Sequence, residues 1–322
     1  MKAIVQDAYG SADLLELRDI DRPVPGDDEV LVEVRAAGVG PEVWHLMTGR
    51  PYVARVALGL RKPKNPVRGW DGAGRVEAVG AKVTDFKPGD EVFGNCEGSF
   101  AEYACAKAEK LAHKPANLTF EQAAALPVSG MTALQALSGK SRPQPGQRVL
   151  VIGASGGVGT YAVQLATMYG AEVTGVCGPA AADFVRSQGA THVIDYTRED
   201  ITDGPHRYDI IIDNAGLRPL PVLRRALTPR GTLVIVGGEG GTGFFGGMSR
   251  GLRAVLISPF IPQNLRNLIS IATREDLLTL KDLAEKGKIT PAIDRTYPLS
   301  EAAAAIRHLE TGHPRGKLVV TV

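Results

Sequence analysis

The sequence predicts an α/β protein with two domains, the second of which is a doubly wound parallel sheet. Three observations support this prediction. The chain has 322 residues, enough for about two domains. Its N-terminal third alternates apolar and polar side chains in short runs, as half-buried strands do. After residue 147, apolar runs alternate with helical patterns, which is typical of a parallel sheet covered by helices on both faces.

The first domain is predicted to be a small β-barrel. EVLVEVRAAGV at 29–39 alternates like a strand, and GRVEAVG at 74–80 and DEVFG at 90–94 repeat the pattern. KPGD separates the last two runs and predicts a turn. The following segment 121–138 is rich in Ala and Leu and predicts a helix, with a kink or break near Pro127–Gly130.

A break in composition, SRPQPGQ at 141–147, precedes the second domain. The predicted order is strand RVLVIGA, helix GVGTYAVQLATMYG, strand EVTGVCG, helix AADFVRSQG, strands HVIDY and YDIIIDNAG, helix LPVLRRAL and strand GTLVIVGG. Right-handed crossovers make this a doubly wound sheet. Residues 237–258 predict a loop followed by a helix, and 275–286 an amphipathic helix. The final strand, KLVVTV, either closes this sheet or returns to the first domain.

Composition excludes several classes of protein. Lys+Arg 37 against Asp+Glu 35 gives a net charge of +2, too balanced for binding nucleic acid through its phosphates. Three cysteines cannot build a disulfide framework, and no apolar run follows the N-terminal lysine, so a cytoplasmic location is expected. The uncharged stretch 149–171 holds five glycines and two periodicities, which favours a buried strand and helix over a membrane span. No membrane partner is expected.

The most specific local signal is the glycine-rich junction RVLVIGASGGVGTYAVQLA. Small residues are required where a strand turns abruptly into a helix and the backbone approaches a pyrophosphate, which the helix N-terminus then binds. Against the pattern G-x-G-x-x-G, Ala154 replaces the first glycine. The residues predicted to bind the pyrophosphate are Ser155, Gly156, Gly157, Val158 and Gly159. A tight turn that binds nothing is the structural alternative.

The end of the next strand bears on the choice of cofactor. NAD-selective sites place Asp or Glu there for the ribose 2′-hydroxyl. This chain has Val176-Cys177-Gly178-Pro179, without a carboxylate that would repel a 2′-phosphate. NADP(H) is therefore predicted in preference to NAD(H), with Arg186, Tyr196 and Arg198 as candidate phosphate donors.

The sequence gives no support for zinc. A catalytic zinc needs about three ligands from Cys, His, Asp or Glu, and a structural zinc about four. Cys96, Cys105 and Cys177 form no CxxC pair, and the six histidines form no pair at i, i+4. We therefore expect no metal site.

Together these features resemble the medium-chain dehydrogenase/reductase superfamily, and in particular its zinc-independent quinone oxidoreductase-like branch. The resemblance covers nearly the whole chain and rests on motifs in the family's order: VRGWDGAGRVEAVG, KPGDEVFG, GSFAEY, GMTALQAL, GASGGVGTYAVQLA and GHPRGKLVV. It implies a GroES-like catalytic domain at 1–125, a Rossmann dinucleotide-binding domain at 126–289, and a return of 290–322 to the catalytic domain.

The chain also departs from that family in informative ways. Zinc-dependent relatives carry Cys where this chain has Gly40, and a His-Glu pair where it has Trp70-Asp71. Many quinone reductase-like members carry Asn at the position of Gly40. The resemblance therefore implies metal-free hydride transfer from NADPH to an electrophilic small molecule, either a quinone or an α,β-unsaturated carbonyl. A zinc-independent alcohol or ketone dehydrogenase, or an NADPH-binding protein without turnover, remain alternatives.

The resemblance also implies roles for single residues. Gly178 and Tyr196 are placed near the adenosine ribose, Thr132 near nicotinamide or substrate, and Lys317 near the cofactor. Asn214 and Gly237 follow two strands of the sheet and should face the cofactor. The substrate candidates are Trp44, Tyr52 and Asp71, and no residue stands out as an obligatory acid or base. A sheet-edge strand within Leu256–Ile271 predicts a homodimer.

Overall fold

The computed structural model describes residues 1–237, 248–310 and 314–322, which form two compact units. The first unit contains Met1–Met131 together with Ala272–Val322, and the second contains Thr132–Ile271. The first unit is therefore built from both ends of the chain.

The elements alternate along the chain much as the periodicity predicts. The strands are β1 (Lys2–Val5), β2 (Glu16–Asp19), β3 (Glu29–Val39), β4 (Asp71–Val79), β5 (Glu91–Asn95), β6 (Tyr103–Lys107), β7 (Leu111–His113), β8 (Arg148–Ile152), β9 (Glu172–Cys177), β10 (His192–Asp195), β11 (Tyr208–Asp213), β12 (Leu227–Ile235), β13 (Asn264–Asn267), β14 (Ile293–Pro298) and β15 (Lys317–Thr321). The helices are α1 (Pro41–Thr48), α2 (Arg55–Leu58), α3 (Phe120–Ala124), α4 (Pro127–Ala136), α5 (Gly157–Met168), α6 (Ala182–Ser187), α7 (Leu220–Ala226), α8 (Met248–Ile257), α9 (Arg274–Glu285) and α10 (Ala302–Glu310).

The first unit is organised around the long strand β3. In its main sheet the strands follow the order β14-β15-β3-β4-β5-β7, and β6 also pairs with β3. The N-terminal part of β3 pairs with β6 and its C-terminal part with β15, both antiparallel. The C-terminal strand therefore returns to the first unit, which decides between the two alternatives for KLVVTV.

The return is stabilised by apolar packing. Met47 of α1 and Ile306 of α10 share one buried cluster with Leu318 and Val320 of β15. Each buried side chain of this size contributes about 1.5–3 kcal/mol of hydrophobic free energy. The last strand is thus an integral part of the first unit's core.

The predicted helix over 121–138 is interrupted, as expected. Thr119 caps α3 with a capping box that includes Gln122, and α3 ends at Ala124. α4 starts afresh with Pro127, whose ring suits the first turn of a helix but not its interior. This break presents the backbone N–H of Val128 at a helix N-terminus.

The second unit confirms the predicted doubly wound sheet. Its six strands are all parallel, in the order β10-β9-β8-β11-β12-β13. The order reverses between β8 and β11, which is where such sheets bind ligands at their carboxyl edge. Leu150, Ile211 and Leu233 are fully buried in the central strands, as continuous apolar runs predict.

Two predictions for the end of this unit need correction or qualification. The edge strand expected within 256–271 is only the four residues of β13, and Leu256 and Ile257 belong to α8. The apolar side chains there follow a helical period, so the sequence pattern overstated the strand. Of the loop predicted after Gly237, residues 238–247 lie outside the described part of the chain, whereas the helix that follows it is α8.

The uncharged stretch 149–171 forms β8, the glycine turn and α5, as predicted. Among the described residues, no helix has the length and apolarity needed to cross a bilayer.

Candidate active site

The glycine turn of the second unit joins β8 to α5. Gly153 takes a left-handed conformation with φ +74°. The N–H groups of Gly153 and Ala154 both donate to the carbonyl of Val176, at 3.1 and 3.0 Å, which ties the turn to β9. The first N–H groups of α5 have no carbonyl of their own helix to bind. These groups are the donors that a pyrophosphate requires.

Two glycines in this turn have different reasons to lack a side chain. A Cβ at Gly159 would lie 2.1 Å from the carbonyl oxygen of Gly153, so only glycine allows α5 to pack this closely on the turn. A Cβ at Gly156 would meet only that same oxygen, at 3.6 Å. The space over Gly156 is therefore open, and the protein itself does not explain why this residue is glycine. A ligand approaching the backbone there would explain it.

The ends of β8, β11 and β12 bring Asn214 and Gly237 next to each other and to Gly153. A Cβ built on Gly153 would lie 3.5 Å from the Cβ of Asn214, and one on Gly237 only 1.8 Å from the carbonyl oxygen of Asn214. The Asn214 side-chain amide donates to the carbonyl of Ile152 at 3.1 Å. Its Oδ1 is buried without a hydrogen-bond partner. A buried amide acceptor of this kind fits an N–H donor of a bound cofactor.

At the end of β9, where the sequence predicts the choice between cofactors, Gly178 and Tyr196 lie side by side. A Cβ on Gly178 would lie 3.2 Å from the Tyr196 hydroxyl, so these two residues are neighbours. Tyr196 is half-exposed. β9 ends in Cys177, and no carboxylate follows it before the next helix begins. Residues 178–182 thus bring no carboxylate to this strand end, whereas Asp195 of β10 pairs with Cys177 beside it.

Beneath this edge lies an ion pair that sequence reasoning missed. Asp213 is fully buried, and its Oδ2 lies 2.7 Å from Nη1 of Arg250 on α8. Asp213 Oδ1 accepts from the N–H of Gly216, and its backbone carbonyl accepts from Gly237. The pair therefore holds the ends of β11 and β12. The sequence signal for Asp213 was a charged residue directly after the apolar run Ile210–Ile212.

The first unit contains a buried polar cluster centred on Asp71, at the start of β4. Asp71 Oδ1 accepts from the Asn95 side-chain amide and Oδ2 from the N–H of Val128, both at 2.9 Å. Lys317, at the start of β15, has a side chain only 3% exposed, and its Nζ lies 3.6 Å from Glu42 Oε1. We name Glu42, Asp71, Asn95 and Lys317 the polar cluster. The sequence pointed to Asp71 and Lys317 but not to Glu42 or Asn95.

The polar cluster holds a carboxyl group with a raised pKa and several buried polar atoms that form no hydrogen bond. Burial first, and then the Glu42 carboxylate, raise the pKa of Asp71 to about 8, although Lys317 opposes this. Lys317 Nζ, Glu42 Oε1 and Asn95 Oδ1 are all buried without hydrogen-bond partners. Such atoms indicate room for a further polar group.

The remaining sequence candidates differ in their surroundings. Trp44 packs partly against the apolar cluster of the first unit and donates from Nε1 to Glu310 at 3.1 Å. Tyr52 is 40% exposed and lies beneath the guanidinium of Arg55. Thr132 is buried in α4. None of these contacts by itself assigns a role in binding substrate or cofactor.

Within the described ranges, no three His, Cys, Asp or Glu side chains are grouped to hold a metal ion. Burial raises the pKa of Cys96 to about 12 and that of Cys105 to about 11, so these thiols stay protonated at neutral pH. Gly40 and Trp70 also offer no ligand atom from their side chains. Among the residues that the structure describes, the donor set does not fit a zinc ion.

Comparison with known proteins identifies the family that the sequence motifs resemble. Residues 26–116 match the alcohol dehydrogenase GroES-like domain, and residues 188–320 match the zinc-binding dehydrogenase domain. The chain is 33% identical over 335 residues to an NADPH-dependent alkenal/one oxidoreductase of Arabidopsis thaliana, covering 99% of this chain and 79% of that protein. It is 32% identical to quinone-oxidoreductase QR1 of Triphysaria versicolor, covering 99% and 98%.

Solved structures agree over the full length. The quinone oxidoreductase of Coxiella burnetii superposes with a TM-score of 0.88 at 31% identity, covering 100% of this chain and 99% of that one. The Escherichia coli quinone oxidoreductase, solved in complex with NADPH, gives 0.85 at 25% identity, with complete coverage of both. The fold is therefore a GroES-like domain joined to a Rossmann-like domain. The chain belongs to the medium-chain dehydrogenase/reductase superfamily, in its quinone oxidoreductase-like branch.

Proposed function

We propose that this protein is an NADPH-dependent, zinc-independent reductase that transfers hydride to a quinone or an α,β-unsaturated carbonyl. The observation that carries the proposal is the glycine turn, whose open space over Gly156 and unpaired helix N–H groups suit a pyrophosphate. Relatives named for NADPH-dependent reduction of alkenals and for quinone reduction support the choice of substrate class.

In this proposal Ser155 to Gly159 bind the pyrophosphate, and Asn214 and Gly237 bind near the nicotinamide. Gly178 and Tyr196 bind the adenosine ribose and its 2′-phosphate. When bound, NADPH supplies the hydride, and the protein orients it. Thr132 and Lys317 are proposed to bind the cofactor, and Trp44, Tyr52 and Asp71 the substrate. Acceptors of this class need no metal, because hydrogen-bond donors can stabilise the oxygen that gains negative charge.

The experiment is NADPH consumption against quinones, enones and saturated aldehydes, and NADP⁺ reduction with simple alcohols, each with and without a chelator. We expect turnover of quinones or enones that a chelator does not change. Turnover limited to alcohols and saturated carbonyls would favour the alternative, an alcohol or ketone dehydrogenase. That alternative has some structural support, since the chain resembles a solved NAD-dependent alcohol dehydrogenase at 29% identity and a TM-score of 0.85. Loss of activity with chelator would refute zinc independence, and binding without any turnover would refute the enzyme.

We further propose that the protein is a homodimer joined through the edge of its parallel sheet. β13 is the last strand of that sheet, and Phe260, Ile269 and Ile271 beside it are 86%, 67% and 66% exposed. Apolar side chains this exposed next to an open strand edge are a liability unless a second copy covers them. Sedimentation should give a dimer, and Phe260→Glu should shift it towards monomer. A cytoplasmic location stays a prediction, to be tested by cell fractionation.

A further inference from the structure

The second unit contains a groove between helices α7 and α8. Its volume is about 430 Å³, which lies within the range of small-molecule sites. Residues three or four positions apart share one face of a helix, so α7 and α8 each present one face to the groove. These faces carry Leu220, Pro221 and Arg224 on α7, and Arg250, Arg253 and Ile257 on α8.

The groove lies on the opposite face of the parallel sheet from α5. That helix connects β8 to β9, whereas α7 and α8 connect β11 to β12 and β12 to β13, in the other direction along the sheet. Right-handed connections that run in opposite directions place their helices on opposite faces. A ligand in the groove would therefore not occupy the glycine turn at the start of α5.

Three arginines line the groove, and the structure provides a counter-ion for one of them. Arg250 pairs with Asp213 at 2.7 Å. Arg224 donates from Nε to the side-chain oxygen of Gln263 at 3.1 Å, which is uncharged. No carboxylate in the described part of the chain pairs with Arg224 or with the exposed Arg253. Two positive charges that share one groove repel each other, and an anion bound between them would remove that cost.

The remainder of the groove is apolar. Leu220 is half-buried, and Pro221 and Ile257 are exposed at its border. The methylene stems of the arginines add further apolar surface. A guanidinium binds both oxygens of a carboxylate, and an apolar wall favours a hydrocarbon that leaves water. The groove therefore combines the two properties that recognise an organic anion with an apolar body.

We propose that this groove is a second ligand site, which binds a small aliphatic carboxylate. Arg253 and Arg224 bind the carboxylate from the two sides of the groove, and Leu220 and Ile257 contact the hydrocarbon. Arg250 remains paired with Asp213. This inference goes beyond the proposed function and does not depend on it, because no part of the site takes part in hydride transfer.

The test is isothermal titration calorimetry of the full chain with octanoate. We expect saturable binding of one octanoate per chain. Acetate lacks the hydrocarbon and 1-octanol lacks the charge, so each should bind at least about tenfold more weakly. Saturating NADPH should leave the Kd for octanoate within about twofold, because the cofactor is proposed to bind at the glycine turn.

Two variants change the groove in different ways. Arg253→Gln removes a positive charge from an exposed position and should raise the Kd for octanoate about tenfold or more. Ile257→Glu adds a carboxylate to the groove and should weaken binding at least as much. Arg225→Gln is the matched control, since Arg225 is an exposed arginine of α7 that does not line the groove, and its Kd should stay within about twofold. Thermal unfolding verifies that each variant is folded.

Octanoate that binds Arg253→Gln and Ile257→Glu as tightly as the wild type would overturn the proposal. So would displacement of octanoate by NADPH, equal affinity for 1-octanol, or the lack of any octanoate binding to the folded wild type. None of these measurements involves turnover, so the assay with quinones and enones decides the proposed function separately.

Discussion

The two central glycines of the turn between β8 and α5 should respond differently to the same change. Gly159→Ala places a methyl group 2.1 Å from the carbonyl oxygen of Gly153, where ordinary contact begins at 3.4 Å, so backbone must move by 3.4 − 2.1 = 1.3 Å. Overpacking of this kind costs about 1–3 kcal/mol. Gly156→Ala meets nothing closer than 3.6 Å and should leave the free energy of unfolding nearly unchanged.

Cofactor binding should separate the two variants further. In Gly156→Ala the methyl group fills the space proposed for the pyrophosphate, so the Kd for NADPH should rise at least about tenfold, or 1.4 kcal/mol. At about 2–4 °C per kcal/mol, Gly159→Ala should lower the melting temperature by roughly 2–12 °C. Fluorescence titration measures the first quantity and thermal unfolding without ligand the second.

Gly204→Ala is the matched control. Gly204 has ordinary backbone angles, and a Cβ added there would have its nearest neighbouring atom 3.9 Å away, so neither stability nor affinity should change. The reasoning fails if Gly156→Ala binds NADPH as tightly as the wild type. It fails equally if Gly156→Ala is as unstable as Gly159→Ala, because the space over Gly156 would then be needed by the protein itself.

Three further variants test other parts of the structure. Folding raises the pKa of Asp71 from near 4 to about 8, so the folded protein loses stability as pH rises from near 4 towards 8. Urea unfolding should therefore show the wild type losing stability relative to Asp71→Asn between pH 5.5 and 8.5. A difference in the free energy of unfolding that does not change with pH would contradict the raised pKa. Arg250→Met leaves Asp213 buried without its counter-ion and should lower the free energy of unfolding, measured in urea, by about 3–5 kcal/mol. Adding Asp213→Asn should restore part of that stability. If Arg250→Met is as stable as the wild type, the ion pair does not stabilise the ends of β11 and β12. Tyr196→Phe should raise the Kd for NADPH about tenfold, because a hydrogen bond to the charged 2′-phosphate is lost, and should leave the Kd for NADH unchanged. Equal effects on both nucleotides would show that Tyr196 does not bind the 2′-phosphate.

The order of strands and helices was predictable because burial imposes a period on the sequence. In the second unit, β8 and the C-terminal parts of β11 and β12 are largely buried and read as apolar runs, and Gly153, Gly216 and Gly237 follow their ends. The prediction failed at β13, where polar NLRN forms the edge strand and neighbouring apolar residues belong to α8. An edge strand pairs with a neighbour on one side only, and its side chains are less regularly buried than those of a central strand. Its sequence therefore carries little of the apolar pattern that identifies central strands.

The residues of the candidate site also differ in how far the sequence could predict them. The glycine turn could be predicted because its chemistry depends on backbone and on spacing within a few residues. The polar cluster could not, because Glu42, Asp71 and Lys317 come from α1, β4 and β15 and meet only when β15 returns to β3. Asn95 reads in the sequence as the last residue of an ordinary strand, and its bond to Asp71 exists only through the pairing of β4 with β5.

Gly40 shows why a missing functional group in a sequence is an incomplete observation. Taken alone, a glycine where relatives carry Cys or Asn indicates a lost polar contact. The structure shows that the carboxyl group of Glu42, two residues later, fills the volume that a side chain at position 40 would occupy. In this chain the polar group next to position 40 is therefore carried on α1. The Glu42 carboxyl group also lies 3.6 Å from the buried ammonium of Lys317, so Gly40 borders an ion pair. The missing side chain at Gly40 therefore does not leave this part of the first unit without a polar group.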